Sequence, residues 1–157
     1  MTWRGSTTVQ DRIFAGLPYL LPLLDGLMYG RYLFQQFPPI RIIPVLLSPL
    51  LQIYRGIPFF GLIVFFALFM LVVRNENISH FIRFNTMQAI LLDIILILCG
   101  LILQILGGSL GGFILETLSN MIFIGILASF IYAVVQSVMG RYAEIPTISE
   151  AVYMQVR

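Results

Sequence analysis

The chain has no lysine, and it has only one cysteine, one histidine and one tryptophan. Without lysine there is neither a Walker phosphate-binding loop nor a Schiff base. With His80 as the sole histidine, no His-x-x-x-His zinc site can form within one chain. Cys99 stands alone in an apolar run, which rules out an intrachain disulfide and a cysteine-rich metal site and reads as a packing residue. Charge is also scarce: 10% of residues are charged, against about a quarter in soluble domains. All nine basic residues are arginines, scattered along the chain, so the formal net charge of +2 describes no polybasic surface for nucleic acid or anionic lipid. These absences argue against a metallohydrolase, an ATPase, an aldolase-type enzyme or a nucleic-acid binder. No catalytic residues, cofactor or metal are expected.

Hydrophobic residues make up 59% of the 157, including 13 phenylalanines, and the mean hydropathy is +0.97. Soluble domains are nearer half apolar. The composition therefore indicates an all-α integral membrane protein whose main surroundings are the lipid bilayer. No Pro/Gly/Ser linker or charge block divides it, so residues 1–157 read as one membrane domain.

Four spans are expected. Ile13–Leu24 has the length of a signal-peptide core, but Pro18 and Pro22 interrupt it and no Ala-x-Ala site lies beyond Asp25. We read a retained first span over about residues 13–33, kinked by its prolines. No transit peptide fits ahead of it, so the chain reads as bacterial or organelle-encoded, although a processed mature form would look the same. Pro38, Pro39, Pro44 and Pro49 then break up the next segment. Its apolar part, residues 42–54, would reach only about 20 Å as a helix, against a hydrocarbon core of about 30 Å. It is expected to lie in the interface or to re-enter. The remaining spans fall at about 57–73, 84–106 and 118–139, with Gly107, Gly108, Gly111 and Gly112 turning the chain between the last two. The tail from Arg141 is expected on the surface. Four spans place both termini on one face with six of the nine arginines, which the positive-inside rule assigns to the cytoplasm or stroma.

The polar stretch RNENISHFIRFNTMQAILLDI, residues 74–94, begins as the loop between the second and third spans. Interfacial arginines and aromatics anchoring helix ends explain much of that loop. They do not explain the third span itself, because Asn85, Ala89, Asp93, Gly100, Gln104 and Gly107 fall on one arc of about 100° of a helix. Asp93 would sit about 15 Å beyond Arg83, near mid-membrane, where an acid must face protein or water. Span four offers it Asn120, Ser129, Tyr132 and Gln136 as partners, on two different faces. Gly26 and Gly30 form a small-xxx-small pair in span one, beside an Asp25 expected near the opposite interface.

Arg74-Asn75, Ile78-Ser79-His80-Phe81-Ile82-Arg83-Phe84-Asn85 and Met87-Gln88-Ala89-Ile90-Leu91-Leu92-Asp93-Ile94 closely resemble the central signature of the Tic-twenty family. That family comprises a subunit of the chloroplast inner-envelope import translocon and its cyanobacterial relatives. Tyr19-Leu20-Leu21-Pro22-Leu23, Asp25-Gly26, Gly30 and Phe37-Pro38 extend the likeness. The resemblance implies a translocon-type membrane subunit of a cyanobacterial membrane or plastid inner envelope. Its partners would be other translocon-type subunits, a translocating polypeptide or further copies of itself. It carries no catalytic residues. Function is then expected to rest on Arg74, Arg83, Asn85, Gln88 and Asp93. The alternatives are a small-solute or proton-coupled carrier, in which Asp93 would titrate and an oligomer would be needed, and a purely structural assembly protein.

Overall fold

A computed structural model describes residues 7–157. Among them the chain is helical, without strands. The first helical run extends from Val9 to Gln36 as α1 (Val9–Gly16), α2 (Leu20–Gly26) and α3 (Arg31–Gln36), joined by the single 3₁₀ turns Leu17–Tyr19 and Leu27–Gly30. Thr8 and Asp11 start it with a reciprocal capping box, each side chain accepting from the other's backbone N–H. Pro18 opens the first 3₁₀ turn, where its missing N–H costs little. The prolines thus articulate the run without ending it.

A short 3₁₀ turn at Pro38–Arg41 leads into α4 (Ile42–Leu46), α5 (Ser48–Gly56) and α6 (Phe60–Ala67), which continues as a π-helical turn over Leu68–Val73. Between α5 and α6 the chain bends by 98°. Phe59 makes the bend in the left-handed region, at φ 57°, and is 78% exposed. After Ser79 caps the next helix come α7 (His80–Leu106), α8 (Gly112–Val138) and α9 (Ile148–Gln155). Val9–Gln36, α7 and α8 are each long and apolar enough to cross a membrane, and the bent pair 48–73 makes a fourth if counted as one span. Straight after the bend, Phe60–Val73 has only 14 residues, about 21 Å.

The packing is strictly ordered along the bundle. Tyr19 meets Asn85, Asp25 faces Asp93, and the Tyr29 hydroxyl lies where a side chain at Gly100 would go. The first run and α7 are therefore parallel, and the chain between them comes back along the bundle through the bent arm. α8 runs antiparallel to both: Phe123 and Ile126 pack on Gly30 and Gly26, while Ser137 reaches Asn85 at the other end. A Cβ at Gly30 would stand 2.8–2.9 Å from the Phe34 and Phe123 rings, so the small-xxx-small pair is where α8 seats. Gln36 and Glu116 join the far ends of α3 and α8 by a hydrogen bond.

Two apolar clusters fill the interior. One joins the first run to α7 and α8 through Tyr19, Leu23, Leu27, Leu92, Leu96, Phe123 and Ile126. The other places Val152 and Val156 against Val73, Phe84, Met87 and Ile90. The tail is therefore docked rather than lying free on the surface: Val152 and Val156, one helical turn apart, are buried against α7, and Ala143 is buried in the first cluster. Outward-facing side chains on α7 and α8, such as Ile97, Leu101, Ile105, Ile124 and Ile131, are apolar and exposed. So broad an apolar surface suits lipid and not water.

Candidate functional site

The small and polar stripe of α7 faces the first run and divides into two centres. At its start, Asn85, Thr86 and Gln88 are completely buried. The Tyr19 hydroxyl donates to Asn85 Oδ1 at 2.7 Å and accepts from Gln88 Nε2 at 2.8 Å. Gln88 Nε2 also donates to the Ala143 carbonyl at 2.6 Å, Asn85 Nδ2 to the Phe81 carbonyl at 2.9 Å, and Ser137 Oγ to Asn85 Oδ1 at 3.4 Å. One network thus ties the first run, α7, α8 and the segment before α9 together. In an apolar interior such polar groups are costly unless satisfied, and here Tyr19, Asn85 and Gln88 satisfy one another, whereas the buried Thr86 Oγ1 has no hydrogen-bond partner.

Arg83 makes a second tie. Its Nε donates to the Val73 carbonyl at 2.9 Å and its Nη1 to the Arg157 carbonyl at 3.0 Å, so the guanidinium spans the end of the bent arm and the end of the tail. Arg74 stands outside, exposed, with its guanidinium 6.0 Å from the Phe69 ring centroid. Of the five residues expected to carry function, the fold joins Asn85 with Gln88, sets Arg83 beside them as a latch, and keeps Arg74 and Asp93 apart.

Asp93 belongs to the deeper centre. It lies thirteen residues from each end of α7, about 20 Å either way. It is 2% exposed, and its Oδ1 has no hydrogen-bond partner. Its neighbour is Asp25 of the first run and not a polar residue of α8. Asp25 is therefore level with the middle of α7, deeper than its sequence position suggested, because the first run continues to Gln36. Tyr54, from α5 beyond the bend, donates to Asp25 Oδ1 at 2.6 Å. The Tyr54 phenol crosses Gly61 and packs edge-on against Phe60, with ring centroids 5.9 Å apart. Asp25, Tyr54, Arg55, Phe59, Phe60 and Asp93 all border one cavity of about 500 Å³.

The sequence singles out Asp93 but not Tyr19, Tyr54 or Ser137. Asp25 is visible in it as a second acid in an apolar run. Nothing in the local pattern around Tyr54 signals that a bend at Phe59 carries it to Asp25.

The family described as chloroplast import apparatus, Tic20-like, matches residues 8–152. The chain belongs to the Tic20-like family. A Tic20 family protein of the cyanobacterium Synechocystis is 55% identical, with 94% of each chain covered. The Arabidopsis thaliana protein TIC 20-II, chloroplastic, is 34% identical over 99% of this chain and 78% of its own. The Tic20 family protein Ycf60 of Porphyra purpurea is 36% identical over 99% and 80%. The Tic20-like assignment accords with the helices long enough to cross a membrane and with the resemblance carried by residues 74–94.

Proposed function

We propose that this chain is a membrane-embedded subunit of a protein-transport assembly, bracing or receiving a polypeptide within the bilayer. The observation that carries this reading is the match, over residues 8–152, to a family described as chloroplast import apparatus. The geometry supports it. Between the first run and the bent arm lies a partly open, almost wholly apolar cavity of about 540 Å³, bordered by Leu17, Leu21, Leu50, Val64 and Leu68. Such a recess between helices suits an apolar segment entering sideways from lipid.

In this reading the chain crosses four times, with residues 57–73 as the second span and the proline-rich segment along the interface. The parallel alignment of the first run with α7 and the 98° bend support that arrangement. Both termini lie on the cytoplasmic or stromal face, as the arginine distribution indicates. Arg83, Asn85 and Gln88 serve by holding the bundle together, and Arg74 offers an exposed cation to partner subunits. Photocrosslinkers placed at Val64 and Leu50 test the proposal during active protein transport. Adducts with transported polypeptide are expected, and adducts with lipid alone would count against it.

The facing carboxyls of Asp25 and Asp93 favour a second reading, a small-solute or proton-coupled carrier. Proton or solute flux through proteoliposomes of the purified chain, with no polypeptide present, would put that reading first.

A further inference from the structure

Another cavity, of about 720 Å³, opens between the first run, α7 and α8 at the end of the bundle away from Thr7. Arg31, Gln104, Tyr29 and Ser119 border it, with an apolar wall that includes Met28 and Ile97. Among the described residues of this lining Arg31 is the one charged group, and no acid is present. The Arg31 guanidinium lies over the Tyr32 ring, 4.6 Å from its centroid, and Nη2 donates to the Tyr32 hydroxyl at 2.7 Å. No carboxylate among the described residues pairs with it. Glu116, one turn of α8 from Ser119, is taken by Gln36.

Depth makes that unpaired cation significant. Taken from Asp93 at the middle of α7, Gly100 and the Tyr29 hydroxyl over it lie about 10 Å towards this end, and Gln104 about 16 Å. Half the hydrocarbon thickness is about 15 Å. Arg31, two residues past Tyr29 on the exposed surface, therefore stands just inside the hydrocarbon boundary. A cation at that depth is costly unless an anion reaches it.

Independently of the charge, two buried hydroxyls in the lining make no hydrogen bond. Ser119 is 6% exposed and Tyr29 9%, and neither oxygen has a partner among the described residues. Thr86 Oγ1 and Asp93 Oδ1 are sealed off, whereas these two oxygens keep access to the cavity. A Cβ at Gly100 would stand 2.6 Å from the Tyr29 hydroxyl, so glycine leaves room for this donor. A guanidinium, an amide and two hydroxyls together suit an oxyanion. Free phosphate would have to leave water to reach them. A lipid arrives at this depth with its phosphate attached to acyl chains, and Met28 and Ile97, both exposed, offer such a chain an apolar wall. Basic pockets between spanning helices bind anionic headgroups on this principle.

We infer that the Arg31 cavity binds an anionic phospholipid from the leaflet opposite the termini, its phosphate held by Arg31 with donors from Tyr29, Gln104 and Ser119, and one acyl chain along Met28 and Ile97. The inference rests on the membrane-spanning fold and not on the transport reading above.

The test uses the full chain in nanodiscs of dioleoylphosphatidylcholine, with dioleoylphosphatidylglycerol as probe. Phosphatidylglycerol should raise Tm saturably at low mole fraction. Arg31→Gln should weaken that effect about tenfold and Tyr29→Phe about threefold, while Arg141→Gln, at the opposite end, should leave it unchanged. In a Cys99→Ser background with a bimane on Met28→Cys, phosphatidylglycerol with brominated chains should quench at a lower mole fraction than brominated phosphatidylcholine. At Ile131→Cys, on the apolar exposed face of α8, the two should quench alike. That comparison keeps every polar group of the lining in place and so decides the matter even where Arg31→Gln fails to fold. Equal quenching by the two lipids at Met28→Cys, or an undiminished phosphatidylglycerol effect in a folded Arg31→Gln variant, would overturn the inference. Soluble glycerol phosphate matching the effect of phosphatidylglycerol would also overturn it, by assigning the site to a free anion.

Discussion

Tyr19 and Asn85, 66 residues apart in sequence, are joined by a completely buried hydrogen bond of 2.7 Å from the phenol to the amide oxygen. Gln88 donates to the same phenol. Tyr19→Phe removes the hydroxyl, leaving Asn85 Oδ1 with only the 3.4 Å contact from Ser137. A loss of about 1–3 kcal/mol of unfolding free energy is expected. Asn85→Leu should cost a similar amount, and the double variant less than the sum, because both changes strike one network. Denaturant titration in mixed micelles measures all three, and additive losses would show that the two residues act separately.

Gly30 should be intolerant of even one methyl. Its Cβ would press on two aromatic rings that also pack edge-on against each other, Phe34 and Phe123, with centroids 5.1 Å apart. Gly30→Ala is expected to destabilise by about 1–3 kcal/mol through overpacking. Gly56→Ala, where nothing lies within 4 Å, should change stability by less than about 0.5 kcal/mol. Thermal unfolding of the pair provides the comparison.

Removal of residues 148–157 should behave as the loss of core rather than of a surface tail. Val152 and Val156 are buried, and Arg83 Nη1 donates to the Arg157 carbonyl. Burying each valine is worth about 1.5–3 kcal/mol. The truncated chain should therefore unfold at markedly lower denaturant and become sensitive to protease near Val73. An unchanged midpoint would mean that α9 is dispensable.

Topology has its own test. Cysteines replacing Thr7, Asn77 and Thr147 should react with an impermeant reagent from one side of the membrane, and one replacing Ser109 only from the other. All four positions lie at the ends of the bundle or in the turns joining its helices. Labelling of Thr7 and Ser109 variants from the same side would refute four crossings.

The stripe on α7 is legible in the sequence because helical periodicity is local: Asn85, Ala89 and Asp93 do face one way, and the glycine cluster does turn the chain before α8. The reading of residues 42–54 as too short to cross rests on length alone. The features that sequence does not reveal depend on tertiary geometry. Gly56 and Pro58 mark a break before the reversal, but the left-handed conformation itself falls on Phe59, a bulky residue that local sequence does not single out for it. The depth of Asp25 comes from a helical run that its prolines articulate instead of ending. The tail's alternation of polar and apolar residues suits a surface strand or a docked helix equally well. Only the apolar flank of α7 decides between them.

From Arg31 to Val72, along the bent arm, no residue is buried, whereas the first run up to Gly30, α7 and the tail all place side chains in the two cores. Local opening free energy follows buried contact, so this arm of about forty residues is the part of the molecule that detaches at least expense while the remainder stays folded. Its tether to the middle of the bundle is the bond from Tyr54 to Asp25. Native-state exchange should therefore resolve two cooperative units, an outer one released first and an inner one released only on global unfolding, and breaking one phenol–carboxyl bond should widen the gap between them.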